Sequence, residues 1–269
     1  DYLVHGGVTN ALNMPSLSAE EAPKLKPYMA LAEQLGGLMG QLTTGSIPRI
    51  SIHAEGAAAE LNIKPIVGAV LCGFMRRYSD TVNMVNAPFL AKERGLDVRE
   101  VRHDREGVYH TLVRVTVGTS QGDRSVAGTL FGNTVPRLVE MFGINIEADL
   151  DGHMLYIVNE DAPGFIGRVG TTLGEAGLNI GTFHLGRREC TTDFLLLNRL
   201  LEMQLDGCTA SKVEAQIQTL GDQRNQTDQH HGSRKNGHAA AEPHETNNPG
   251  LRHDASSNTQ AGDATATIN

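Results

Sequence analysis

The sequence predicts an α+β fold, and three observations carry that expectation. Apolar residues recur at helical spacing over residues 16 to 42, and residues 64 to 78 are apolar nearly all round, as in a buried helix. Between residues 97 and 132, three segments alternate apolar and polar residues, with the turn-rich "REG" and "SQGD" between them, as antiparallel strands joined by hairpins would. From Asp222 to Asn269 the only large apolar residues are Leu251 and Ile268, so no core can form there. The expectation is an α/β-type domain with an antiparallel sheet, a strand-helix-strand module after it, and a disordered tail.

The first element, "SLSAEEAPKLKPYMALAEQLGGLMGQL", places Leu25, Tyr28, Leu31, Leu35, Leu38 and Leu42 on one helical face. Ser18 and the acids at 20 and 21 mark its start, and Pro48 lies just beyond its end. "RISIHAEG" alternates as a strand. "KPIVGAVLCGFMRRY" has proline one position inside and is apolar nearly all round, the pattern of a buried helix. "NAPFLAKERG" reads as a short helix closed by Gly95. The strands "DVREVRHD", "YHTLVRVTVGT" and "RSVAGTLFG" follow, and "RLVEMFGINIEADLDG" leads into a further strand, "HMLYIV". Helix "GFIGRVGTTLGEAG", strand "LNIGTFHLGR" and the apolar run "FLLLNRLLEM" complete the ordered part. The tail cannot bury enough surface to offset its ordering entropy.

A formal charge of -8 and a pI near 5.7 argue against nucleic acid or an anionic membrane as partner. No apolar run approaches a membrane span, so a cytoplasmic location is expected. Cys72, Cys190 and Cys208 form no C-x-x-C pair and read as reduced thiols. The chain opens on Asp1 within a helix-like stretch, which reads as the middle of something larger.

"NEDAPGFIGRVGTTLGEAGLNI" holds glycines at 164, 167 and 170, where a strand gives way to a helix. A dinucleotide loop needs G-x-G-x-x-G, but the spacing here is G-x-x-G-x-x-G after a proline, and no Walker G-K-[ST] exists in the chain. What the stretch does offer is a helix N-terminus, whose free N–H groups suit a small carboxylate, and Asp161, which can accept from an ammonium group. Together these suit an α-amino acid.

"HMLYIVNEDAPGFIGRVGTTLGEAGLNIGTFHLGR" resembles the first half of an ACT domain, a βαββαβ module that binds amino acids. "GTLFGNTVPRLVEMFGINIEADLDG" before it, and "TNALNMPSLSAEEAPKLKPYMALAEQLGGLMGQL" earlier, resemble segments of the long-form D-3-phosphoglycerate dehydrogenase family. The resemblance covers residues 1 to about 189 and implies four regions. These are a returning helical segment of the nucleotide-binding region (1–45), an intervening anion-binding domain (46–151), an incomplete ferredoxin-like ACT domain (152–221) and the tail (222–269). It implies an effector, L-serine, held between two ACT domains, with Asp161 and Asn179 matching its contact positions; Pro163 and Gly164 shape the entry to the site, and Asn159 falls where family members vary but carries an amide able to hydrogen bond there. Asn179 reads equally as a turn residue between helix and strand. For an anion it implies Arg137, with Arg76 and Arg77 as further candidates, although capping the carbonyl end of their own helix is the simpler role for those two. A second basic position of the family falls near Asp149, which is acidic here.

The resemblance fades near Glu189, as a reading-frame shift or fusion would produce. "TTDFLLLNRL" can serve as a third strand and "SKVEAQIQTLG" as a second helix, with no fourth strand expected. The family's NAD loop and its His-Glu and Arg catalytic set are not found, so no catalytic residue is named and whether the chain is itself an enzyme stays open. His5, His53, His103, His110, His153 and His184 read as surface or structural histidines, and the irregular tail histidines make no metal site. The function expected is a regulatory portion of an NAD-dependent dehydrogenase of L-serine biosynthesis that binds an amino acid and forms a homo-oligomer, without a cofactor of its own. The alternatives are an oligomerisation surface with a disrupted effector site, or a piece of a working oxidoreductase.

Overall fold

The computed structural model describes residues 20–103, 107–151, 153–160, 163–187, 193–201, 215 and 265–268. They fall into two compact units, the second built mainly from residues 153–160, 163–182, 193–201 and 265–268.

The first unit sets helices against a six-stranded sheet. Helix α1 (Ala22–Leu42) and strand β1 (Arg49–Gly56) lie where the apolar spacing puts them. Helix α2 (Ile63–Met75) buries all but one of its residues. Its start is fixed by Asn62, whose side chain accepts from the Lys64 N–H at 3.2 Å. Helix α3 (Ala87–Glu93) ends at Gly95, where φ is +71°. Five more strands follow: β2 (Asp97–His103), β3 (Thr111–Thr119), β4 (Gly122–Phe131), β5 (Val135–Met141) and β6 (Ile144–Ala148).

The strand order is β2-β1-β3-β4-β5-β6, and β2 runs parallel to β1. This corrects two expectations. The sheet is mixed rather than antiparallel, and "REG" does not close a hairpin, because β1 pairs with β3 and lies between it and β2. The reason is the crossover through α2 and α3, which returns the chain to the same end of the sheet; alternation alone marks a strand without naming its neighbour. The "SQGD" hairpin does form, with the Thr119 hydroxyl donating to the Gly122 carbonyl at 2.7 Å.

Ile50, Ile52, Val113, Val115 and Val117 are fully buried on the inner side of the sheet. Burying such side chains contributes about 1.5–3 kcal/mol each. Helix α1 crosses this sheet at Gly128, where an added Cβ would lie 2.6 Å from Leu31 Cδ1. The two long helices approach through glycine: a Cβ at Gly36 would meet the Val70 carbonyl at 2.1 Å, and one at Gly73 the Glu33 carbonyl at 2.0 Å.

The second unit contains β7 (His153–Glu160), helix α4 (Phe165–Glu175), the first residues of β8 (Asn179–Arg187), β9 (Asp193–Leu201) and β10 (Thr265–Ile268). Helix α4 buries Phe165, Val169 and Leu173, an i, i+4, i+8 stripe. Its sheet order is β10-β7-β9-β8, so β9 inserts between β7 and β8 as in a ferredoxin-like split βαβ. "TTDFLLLNRL" is the expected third strand, paired antiparallel with β7. A fourth strand is also present, against expectation: Thr265–Ile268 pairs antiparallel with Leu155–Val158. Four residues are too few to show a period, and they lie within the segment expected to be disordered, of which residues 222–264 and 269 lie outside the described residues. The second helix expected in "SKVEAQIQTLG" also lies outside them, except for helical Ala215.

Candidate effector and anion sites

Strand β7 ends at Glu160, and Pro163 and Gly164 stand exposed at the entry to α4. Gly164 is the N-cap, with a left-handed φ of 82°, a conformation that side-chain-bearing residues rarely adopt. Gly164 has no side chain with which to cap this end, and its carbonyl accepts from Arg168 N at 3.1 Å. The N-terminal end of a helix carries the positive end of its dipole, which favours an anionic group. Asn159 lies in β7, in register with Phe194, and Asp161 lies outside the described residues.

Asn179 is exposed at the first position of β8. An 11-residue helix separates it from Gly164, a rise of about 16 Å. Within one chain, then, the fold sets Asn179 and the Pro163–Gly164 turn at opposite ends of α4, too far apart to hold one amino acid between them.

The three arginines singled out for an anion are each engaged. Arg137, on β5, is ion-paired with Asp149, the acidic residue at the position where a second basic group was expected. Its Nε is buried without a hydrogen-bond partner. Arg76 pairs with Glu33 Oε1 at 2.5 Å. Arg77 donates to the Thr43 carbonyl, so it covers the C-terminus of α1 rather than that of its own helix.

Two arginines escaped the reading of the sequence. Arg114 bonds both carboxylate oxygens of Glu140, one at 2.9 Å, with Glu55 at 4.0 Å from its Nε. These bonds raise its pKa, as donation to Glu140 outweighs burial. A charge within "VRV" was visible, but its partner on another strand was not. Arg94 stacks over the Tyr78 ring, 4.0 Å from the centroid, and Arg77 lies 4.9 Å from the same ring.

On the outer side of the sheet, His53 of β1 stacks on His103 of β2, with centroids 5.7 Å apart and planes 18° apart. Burial lowers the His53 pKa first, His103 and Arg114 lower it further, and Glu55 opposes them. The unfolded chain therefore takes up this proton before the folded chain does. Stability from this site is complete above the ordinary histidine value of 6.5 and falls as pH drops below it, levelling off once the folded form is protonated. Thermal unfolding followed from pH 7.5 to 5.5 should show the loss, and His53→Gln should flatten it; an unchanged slope in that variant would assign the effect elsewhere.

Among the described residues, no group of three or more His, Cys, Asp or Glu could hold a metal, and no helix is long and apolar enough to cross a membrane. No G-x-G, the spacing of a dinucleotide-binding turn, occurs anywhere in the 269 residues.

Residues 24–142 match the family model described as D-3-phosphoglycerate dehydrogenase intervening domain. The chain is similar to D-3-phosphoglycerate dehydrogenase of Bacillus subtilis, 37% identical over 183 residues, covering 68% of this chain and 35% of the relative. It is 32% identical over 209 residues to that of Synechocystis, covering 77% and 38%, and 34% identical over 192 residues to that of Methanocaldococcus jannaschii, covering 71% and 36%. The chain thus spans little more than a third of the length of these relatives.

Proposed function

Because residues 24–142 belong to the D-3-phosphoglycerate dehydrogenase intervening-domain family, we propose that this chain is the regulatory region of such a dehydrogenase, sensing an amino acid, L-serine, through its second unit. The observation that carries the proposal is the sheet order β10-β7-β9-β8 with α4 between β7 and β8, directly after the intervening domain. That arrangement presents a helix N-terminus behind a left-handed glycine, suited to the carboxylate of an amino acid, and Asp161, three residues earlier in the sequence, supplies an acceptor for its ammonium group.

Because Asn179 lies at the far end of α4, the effector site in this reading joins two copies, the Asp161–Gly164 turn of one with Asn179 of the other. L-serine is small enough to sit between two such ends, and a homo-oligomer is a condition of binding rather than an accessory to it. Hydride transfer and NAD binding belong, in this reading, to the complete dehydrogenase, and the chain acts in the cytoplasm. An anion at Arg137 would have to displace Asp149, and one at Arg76 would have to displace Glu33.

Titration calorimetry with L-serine, run beside light scattering, tests the proposal. Saturable heat with a dimeric or larger mass is expected. A folded oligomer that gives no heat would favour the second reading, an assembly surface alone, for which the changed sequence after Glu189 is the specific observation.

A further inference from the structure

We propose that strand β2 pairs antiparallel with β2 of a second copy, in a register centred on Val101, so that two first-unit sheets become one continuous sheet. β2 is the edge of its sheet and is bonded on one side by β1. Its seven residues keep one unbroken register with β1, without a bulge or a proline, and five of them are exposed. An edge of that kind is a ready template for another strand.

One hydrogen bond fixes which backbone groups are on offer. The Asp97 N–H donates to the Pro48 carbonyl at 2.9 Å, so the backbone of Asp97 faces β1. Successive residues of a strand turn their N–H and C=O to opposite sides, so Val98, Glu100 and Arg102 present theirs to the free edge. Among the described residues, none bonds them there.

The side chains select a second copy as the occupant. Charges on an edge ordinarily hold strands apart. In β2 they change sign at each step, through Asp97, Arg99, Glu100 and Arg102, which makes the strand complementary to itself. About a two-fold axis at Val101, Glu100 of each copy lies opposite Arg102 of the other, Val101 opposite Val101, and Arg99 opposite His103. Glu100 and Arg102 are also the residues whose backbone faces the free edge. Each such pair therefore exchanges both its N–H···O=C bonds and adds an ion pair, where neither side chain has an ion-pair partner among the described residues. The backbone bonds hold the strands together, and the exposed charges, individually weak, set the register. Centred on Arg99, Glu100 or Arg102, the strands would set like charges against each other. Centred on Val98, they would run into the turn at Gly95, where φ is +71°.

This contact lies in the first unit, so its test does not depend on serine binding. The full chain carrying Val101→Cys, mildly oxidised, should give a 101–101 linked peptide in mass spectrometry. Residues opposed in a non-hydrogen-bonded antiparallel pair stand about 4.5 Å apart at Cα, within the reach of a disulfide. Arg99→Cys, which faces residue 103 of the other copy, should not link to itself. Hydrogen exchange gives an independent reading of the full chain. The amides at positions 100 and 102 should exchange at least about tenfold faster in Glu100→Arg and in Arg102→Glu than in the parent. Combining the two substitutions restores opposite charges with the signs reversed and should return the protection. The Val115 amide of β3, within the sheet, should exchange alike in all four chains. The proposal is overturned if Val101→Cys gives no 101–101 link, if Arg99→Cys links to itself instead, if the single charge reversals keep the parent's protection, or if the double reversal fails to restore it.

Discussion

Replacing Gly36 with valine should cost the first unit about 3 kcal/mol or more, whereas replacing its neighbour Gly37 with alanine should stabilise it by about 0.5–1 kcal/mol. Both residues lie in the interior of α1, so helix propensity favours both substitutions and only the surroundings separate them. A Cβ on Gly36 would stand 2.1 Å from the carbonyl oxygen of Val70, a backbone atom of the opposing helix that no rotamer change can move aside. A Cβ on Gly37 would meet nothing within 4 Å. The same clash faces α1 from the other side, where Gly73 would set its Cβ 2.0 Å from the Glu33 carbonyl, so Gly73→Ala should be destabilising as well. Relieving either contact requires α1 and α2 to separate, which opens a gap beside Leu35, Leu71 and Phe74 and adds a cavity cost. Urea unfolding of the full chain measures all three variants. Gly36→Val with an unchanged midpoint would mean that the helices lie further apart than described.

That glycine seam shows what the sequence could and could not reveal. The apolar face of α1 and the all-round apolar α2 were readable because each side chain reports its own exposure through a local period, and both helices lie within a residue or a few of where that period puts them. Which glycines were contacts and which were merely tolerated was not readable, since Gly36 and Gly37 differ only in what faces them. The same limit explains β2 and β10: the first alternates as any strand does and gives no sign of its parallel partner, and the second is four residues whose meaning comes entirely from β7. For the sites, the helix entry at Pro163–Gly164 was legible because proline, a positive-φ glycine and an apolar stripe are all local signals. The engagement of Arg137 by Asp149 and of Arg77 by Thr43 was not, because each partner arrives from another element. Arg94 went unnoticed for the same reason: the Tyr78 ring on which it stacks arrives from another element.

Mixing two defective chains should restore serine binding that neither possesses alone. Asp161→Ala and Asn179→Ala each remove a polar contact proposed for the effector, and each homo-oligomer should bind L-serine more weakly by about ten- to a hundredfold, as the loss of a charged or buried hydrogen-bond partner would produce. The fold then makes a quantitative demand. With Asn179 and Gly164 at opposite ends of the 11-residue α4, a site must combine the turn of one chain with the asparagine of another. In a mixed dimer one of the two sites carries both substitutions and the other carries neither. Random exchange of equal amounts makes about half the dimers mixed, so roughly one site in four should regain the parent affinity in calorimetry. Were the effector held within a single chain, every site in the mixture would keep one defect and none would recover. Recovery near a quarter would thus identify both the ligand's position and the reason an amino-acid sensor must be an oligomer, while no recovery, with exchange demonstrated by mass, would place the site inside one copy.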